Sequence, residues 1–182
     1  MPNSVIVTFT GRTVDVINPR PEDVNIYDVA HHLSNICRYT GACKWFYSVS
    51  QHSVLVLRLC DPEYALEGLL HDATEAYLND MSSPLKHSDN MTPYRVLEEM
   101  HWKVIRQALN LKELDASIKK ADEAIYHAER RVLVPASPAR NDWHPDTPAA
   151  DIEILPCWSP ATAETRFLAR YYELTGCFAS IE

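Results

Sequence analysis

Hydrophobic and polar positions divide the chain into a short alternating start and a long helical remainder. From Val5 to Ile17 the residues alternate around Gly11-Arg12, as VIVTFT and then TVDVI, which predicts a two-stranded ribbon. Two strands alone are marginal, so this ribbon is expected to pack on helices. Asn18-Pro19-Arg20-Pro21 is a rigid, extended break, and residues 1–25 together form ribbon and linker. Helical spacing starts near Ile26 or Asp28 and carries Val29, His32, Leu33 and Ile36; Arg38-Tyr39-Thr40-Gly41 is expected to end that helix, with Gly41 as a left-handed stop. A second helix is expected from about Ser50 to Cys60, apolar at Val54, Leu55, Leu57 and Leu59. Asp61-Pro62 predicts a third, with Asp61 as N-cap, running through Ala65, Leu66, Leu69 and Leu70 into His71-Asp72.

After Pro84 a polar stretch, His87 to Met91, precedes two long amphipathic segments. The first, Thr92 to Leu109, is apolar at Val96, Leu97, Met100, Val104, Ile105 and Leu109. The second, about Glu113 to Leu133, turns Ile118, Ala121, Ile125, Ala128 and Val132 inward. Val134 to Pro160 is rich in Pro, Asp and Ala and reads as a long surface excursion, before a terminal helix over 161–175 with Phe167, Leu168, Tyr171 and Tyr172. Strands and helices do not alternate, which excludes a doubly wound sheet. The expectation is an all-α single domain over 1–182, a compact helical bundle with a short N-terminal β-ribbon.

Composition narrows the function classes. At 182 residues and 46% hydrophobic, the chain has ample core for one domain. A formal net charge of −8 argues against a duplex nucleic-acid binder, which needs a basic face. No apolar run approaches the roughly 20 residues of a membrane span, and no signal-peptide pattern is present. Cys37, Cys43, Cys60, Cys157 and Cys177 are scattered and lack a C-x-x-C, so reduced thiols in a cytoplasmic protein is the economical reading.

Four polar residues stand where helices should be apolar. His71 and Asp72 follow the run Leu69-Leu70, His52 opens the second helix, and Asp122 lies at the margin of a buried face. Burying such groups is costly unless a partner or a metal satisfies them. Two imidazoles and two carboxylates from three helices make a mixed N/O site for one divalent ion, better suited to Mn, Fe, Co or Zn than to Mg or Ca. Glu75 lies four residues after His71 and three after Asp72, on the same face of a continuous helix. The alternatives are a core histidine, helix caps and surface carboxylates. Adjacent residues on a helix point about 100° apart, so His31-His32 is read as one exposed or pocket-lining residue and one core residue rather than as a ligand pair. Tyr126, four after Asp122, is a better pocket-lining candidate than His127.

The set His52, His71-Asp72, Asp122 resembles the H…HD…D pattern of the HD-domain phosphohydrolases. The longer match is to their small nucleotidase branch: S-x-x-Q-H-S around His52, then L-L-H-D-A-x-E-A-Y-L-x-D-x-x-x-P-L-K, then A-D at Asp122. That branch includes bacterial 5′-deoxynucleotidases and a phage dATP triphosphohydrolase, and the resemblance covers about Asn18 to Val132. It implies that His52, His71, Asp72 and Asp122 hold one divalent metal (Co, Mn, Zn, Fe or Mg). It further implies that Glu75 and Asp80 act as the catalytic carboxylates. Arg38 falls where the family sets Arg against phosphate, Tyr39 where an aromatic stacks on base or sugar, and the Pro84–Lys86 tail brings Lys86 as a further phosphate contact. Gly41 leaves space beside Tyr39, from which adenine selectivity is expected.

The implied reaction is attack of metal-activated water on the α-phosphorus of a deoxynucleotide, with clamping by Arg38 and Lys86. The leading expectation is a dATP triphosphohydrolase giving deoxyadenosine and triphosphate, with dADP and dAMP as further substrates. The alternatives are a 5′-deoxynucleotidase acting on monophosphates and a non-catalytic, metal-stabilised interaction domain. A phosphodiesterase on cyclic or hyperphosphorylated guanine nucleotides is disfavoured by the short chain and by the lack of a G-Y-P triplet after the HD pair. The family's habit implies a homo-oligomer, with neither membrane nor duplex nucleic acid as partner.

Overall fold

In the computed structural model, residues 4–136 and 150–176 are described. Residues 137–149, most of the expected surface excursion and including His144, lie outside them, as does Cys177. The ribbon forms as expected. β1 (Val5–Val7) pairs antiparallel with β2 (Thr13–Asp15) in the register Val5 opposite Asp15, Ile6 opposite Val14, and Val7 opposite Thr13. It is fastened to the helices through polar groups. The buried carboxylate of Asp28 accepts from the Thr10 amide at 2.7 Å and the Thr10 hydroxyl at 2.9 Å.

The rest is helical, so the fold is all-α with a short β-ribbon. The helices are α1 (Ile26–Asn35), α2 (Val49–Val56), α3 (Ala65–Leu70) and α4 (Glu75–Leu78), then α5 (Ser83–Lys86), α6 (Thr92–Leu109), α7 (Ala116–Leu133) and α8 (Pro160–Thr175). Side-chain caps start several of them: Asn25, Ser48, Asp115 and Ser159 each accept a first-turn amide. No helix is long and apolar enough to cross a membrane among the described residues.

α2 is the axis of the molecule. Every residue from Val49 to Val56 is buried, because one side meets a core built by α1, α3 and α8 (Leu33, Leu69, Leu70, Phe167) and the other meets α7 (Ile118, Ile125, Ala128). Apart from His52 Nε2, its buried polar groups are satisfied rather than stranded. Ser50 Oγ donates to the Ala163 carbonyl, and the Gln51 amide donates to the carbonyls of Ile154 and Pro156 while accepting from the Trp158 amide.

Five expectations need correction. α1 stops at Asn35, because Ile36 and Cys37 extend to pair with Ser48 and Val49; Arg38–Gly41 is a separate turn in which Tyr39, Thr40 and Gly41 all have positive φ. α2 ends at Val56, four residues before Cys60, leaving Leu59 exposed. Asp61 makes no side-chain cap, and α3 proper begins only at Ala65, after one tight turn. Most consequentially, α3 does not run through the His-Asp pair. It ends at Leu70, and residues 71–74 form a turn with i→i+3 bonds, Ala73 N–H to the Leu70 carbonyl at 2.9 Å and Glu75 N–H to the Asp72 carbonyl at 3.0 Å. In α6, only Ile105 of the expected apolar stripe is buried, joined by His101 from outside it, whereas Val96 and Met100 are exposed.

Candidate metal centre

The site is assembled where the end of α3 meets the sides of α2 and α7. The open C-terminus of α3 leaves carbonyls without helical partners, and that of Gly68 accepts from His71 Nδ1 at 2.8 Å. Gly68 itself packs tightly against α2's trailing turn: a Cβ there would lie 2.5 Å from Cys60 Sγ. A carbonyl can only accept, so Nδ1 of His71 carries the proton and Nε2 carries the lone pair. His52 repeats the arrangement, its Nδ1 lying 2.7 Å from Oε1 of the buried carboxylate Glu129. Both rings therefore turn Nε2 the same way, and both Nε2 atoms are buried without a hydrogen-bond partner.

Asp72 Oδ2 sits between them, 3.3 Å from His71 Nε2 and 3.6 Å from His52 Nε2. Ligand atoms of His52, His71 and Asp72 all fall within 4.8 Å of one another, the grouping a single ion requires. Asp122 joins through His52, its Oδ1 lying 3.1 Å from Nε2 without the alignment of a hydrogen bond. All four expected ligands are thus brought together, three as a tight group and Asp122 at its more exposed edge.

The charges are mutually dependent. Burial works against ionised Asp72, but His71, His52 and Arg38 outweigh it and hold the carboxyl far below the ordinary carboxylate range. Burial and Arg38 both push His52 down, yet Glu129 and Asp122 prevail and raise it to about 9. Burial raises Glu75 well above the usual range, and the fields of Asp72 and Asp80 add to it. Glu75 Oε2 is buried and has no hydrogen-bond partner, an environment that favours the protonated form of this carboxyl. Asp80, half-buried, is raised mainly by its burial, against the pull of Arg38.

The remaining expected residues divide. Arg38 reaches the cluster, with Nη1 3.6 Å from Asp72 Oδ2 and Nε 3.2 Å from Glu129 Oε2. Tyr39 donates to Glu129 Oε2 at 2.8 Å, and its ring stacks on Tyr126 with centroids 6.0 Å apart. Lys86 is ion-paired with Glu98. Gly41 lies on an exposed turn, where a Cβ would meet nothing within 4 Å, and Pro84 is exposed in the first turn of α5. His31 and His32 serve the fold. His31 stacks on Phe9 and pairs with Glu164, while His32 donates to the Ala76 carbonyl and accepts from the Phe9 amide.

Glu129 was not among the expected residues. The signal for it was its position seven residues, two turns, after Asp122, on the stripe of Ile118, Ile125 and Ala128, where a charge has no solvent to face.

No family model matches the chain. It is 41% identical over 131 residues to the uncharacterized protein YfdR of Escherichia coli (strain K12), covering 71% of this chain and 72% of YfdR. An uncharacterized protein of Rhodobacter capsulatus is 39% identical over 87 residues, 43% of this chain and 44% of that protein. The match to YfdR spans the better part of both proteins, and on that ground the chain belongs to the family of Escherichia coli YfdR.

Proposed function

We propose that this protein is a divalent-metal-dependent phosphohydrolase of small deoxynucleotides, of the HD-domain kind. The observation that carries the reading is the convergence of two Nε2 atoms, buried and without hydrogen bonds, on Asp72 Oδ2. A fold that needed these groups only for stability would have aligned them as hydrogen-bond donors to the carboxylates 3.1–3.6 Å away, because an unsatisfied buried nitrogen costs about 1–3 kcal/mol. The donor set fits a borderline divalent ion, with His52, His71, Asp72 and Asp122 as its ligands. Such an ion supplies Lewis acidity toward a phosphoryl oxygen and toward water.

The chain's own residues supply the rest. Arg38 holds a fixed positive charge beside Asp72, on the side from which a phosphate oxygen can replace the carboxylate as its partner. Glu75, kept neutral by burial, is suited to give its proton to the leaving oxygen. Asp80, less buried, is suited to accept a proton from water. His71 also lines an open cavity of about 400 Å³ with Thr74, Glu98 and Trp102, within the size range of small-ligand sites.

A specific observation favours the monophosphate over dATP as substrate. The largest cationic influences on Glu75 are Arg38 and Lys86, the first facing Asp72 and Glu129 and the second paired with Glu98, while Arg95, which lines the cavity beside His71, is engaged by the carbonyls of Lys86 and Ser88. Cations already committed in this way are a modest clamp for a triphosphate and a sufficient one for a single phosphoryl group. Purified protein incubated with Mn²⁺, Co²⁺ or Mg²⁺ and each dNMP and dNTP, with products separated by anion exchange, tests this. Metal-dependent orthophosphate from the monophosphates is expected. Deoxyadenosine plus intact triphosphate from dATP would shift the reading to the triphosphohydrolase, and no product from any substrate would overturn it.

A further inference from the structure

Glu129 is the most enclosed charged side chain of the centre, with both carboxylate oxygens occupied twice. Oε1 faces His52 Nδ1 at 2.7 Å and accepts from the Tyr47 hydroxyl at 2.8 Å; Oε2 accepts from the Tyr39 hydroxyl at 2.8 Å and lies 3.2 Å from Arg38 Nε. One oxygen thus serves a metal-ligand candidate, and the other serves the two residues placed to meet the substrate. These partners come from three separate parts of the chain: the turn after α1, the residue before the α2 cap, and α2 itself. Glu129 meets the ligand group through His52 Nδ1, the ring nitrogen opposite the ligand candidate Nε2. It can act only through its neighbours.

Resting on the phosphohydrolase reading, we propose that Glu129 is a positioning residue with two separable effects: Oε1 locks the His52 ring with Nε2 facing the ion, and Oε2 sets Arg38 and Tyr39 for the phosphate. The first effect follows from hydrogen-bond chemistry. An ionised carboxylate on Nδ1 fixes the tautomer, orients the ring and makes Nε2 a better donor to a metal. The second follows from geometry. Arg38, whose Nε is ion-paired with Oε2 at 3.2 Å without the alignment of a hydrogen bond, places Nη1 3.6 Å from Asp72 Oδ2. A glutamine here can match only part of this set, because its amide nitrogen must face donors on one of the two sides.

The test separates the effects. Mn²⁺ titrated calorimetrically into metal-free Glu129→Gln should bind roughly 10- to 100-fold more weakly than to wild type. Tyr39→Phe, which removes a partner of Oε2 alone, should leave the Mn²⁺ Kd within threefold while raising KM for the deoxynucleotide. The tautomer is read on the wild-type chain, independent of any variant, from long-range ¹H–¹⁵N correlations with Zn²⁺ added. A protonated Nδ1 and a metal-shifted Nε2 on His52 are expected. The opposite tautomer, or wild-type metal affinity in folded Glu129→Gln, overturns the proposal, as does a wild-type chain that binds no divalent ion. Should wild type bind Mn²⁺ but hydrolyse no deoxynucleotide, the phosphohydrolase reading fails alone; weakened binding by Glu129→Gln would then still support the role toward His52.

Discussion

The two walls of the centre are built on different terms. The inner wall, His52, Glu129 and Tyr47 with Arg38 and Tyr39 at its edge, is buried, and the oxygens of its central carboxylate face donors from three parts of the chain. The outer wall, Asp80 to Lys86, is half-exposed, carried by the short helix α5 and the residues before it, and its one cation leans on Glu98. Asp72 and Glu75 stand between the two. The difference teaches how the centre is divided: the inner wall fixes geometry at the cost of burying charge, and the outer wall stays open to solvent, where the proposed function needs substrate to enter.

This division can be broken or sharpened by substitution. Asp72→Ala, at the junction, should have the largest effect, removing Mn²⁺ uptake and reducing turnover to background, as read by calorimetry and phosphate release. Glu75→Gln should lower kcat by about 10²- to 10⁴-fold with the Mn²⁺ Kd within threefold, because the proposed role of Glu75 is in proton transfer and not in the ligand group. A parallel loss of metal affinity would place Glu75 on the inner wall instead.

The pH dependence has opposite signs with and without metal. In the metal-free chain His52 is raised from its ordinary 6.5 to about 9. Its contribution to stability is full below pH 6.5 and is lost as pH rises toward 9, so the metal-free Tm should fall across that window. Metal binding must displace that proton, so the Mn²⁺ affinity should rise over the same window, by up to about tenfold per pH unit for each proton released. Scanning calorimetry with and without Mn²⁺ measures both. On the outer wall, Lys86→Ala should have the smallest effect, raising KM roughly threefold to tenfold with kcat little changed.

The fold was largely legible in the sequence because it rests on periodicity. The alternation around Gly11 gave the ribbon, and the stripe Ile118, Ala121, Ile125 and Ala128 gave the buried face of α7. The four ligand candidates were legible for a related reason: a histidine or aspartate on an apolar face is a visible exception. The break after Leu70 was hidden, because Ala73 and Thr74 carry no Gly or Pro signal and the backbone turns there under tertiary demand. Glu129 was hidden more completely. Its place on the apolar stripe is masked by Arg130 and Arg131 beside it, and contacts with residues 77 to 91 positions away show what it serves. The exposure of Val96 and Met100 was equally invisible, since a helical stripe records which face is apolar and not whether anything covers it.

The central claim is that His52, His71, Asp72 and Asp122 hold one divalent ion. Isothermal titration of Mn²⁺ into metal-free wild type, alongside Asp72→Ala, tests it most directly. One ion bound per chain, with binding lost in the variant, is the predicted result; no saturable binding to wild type, or equal binding to both, would contradict it.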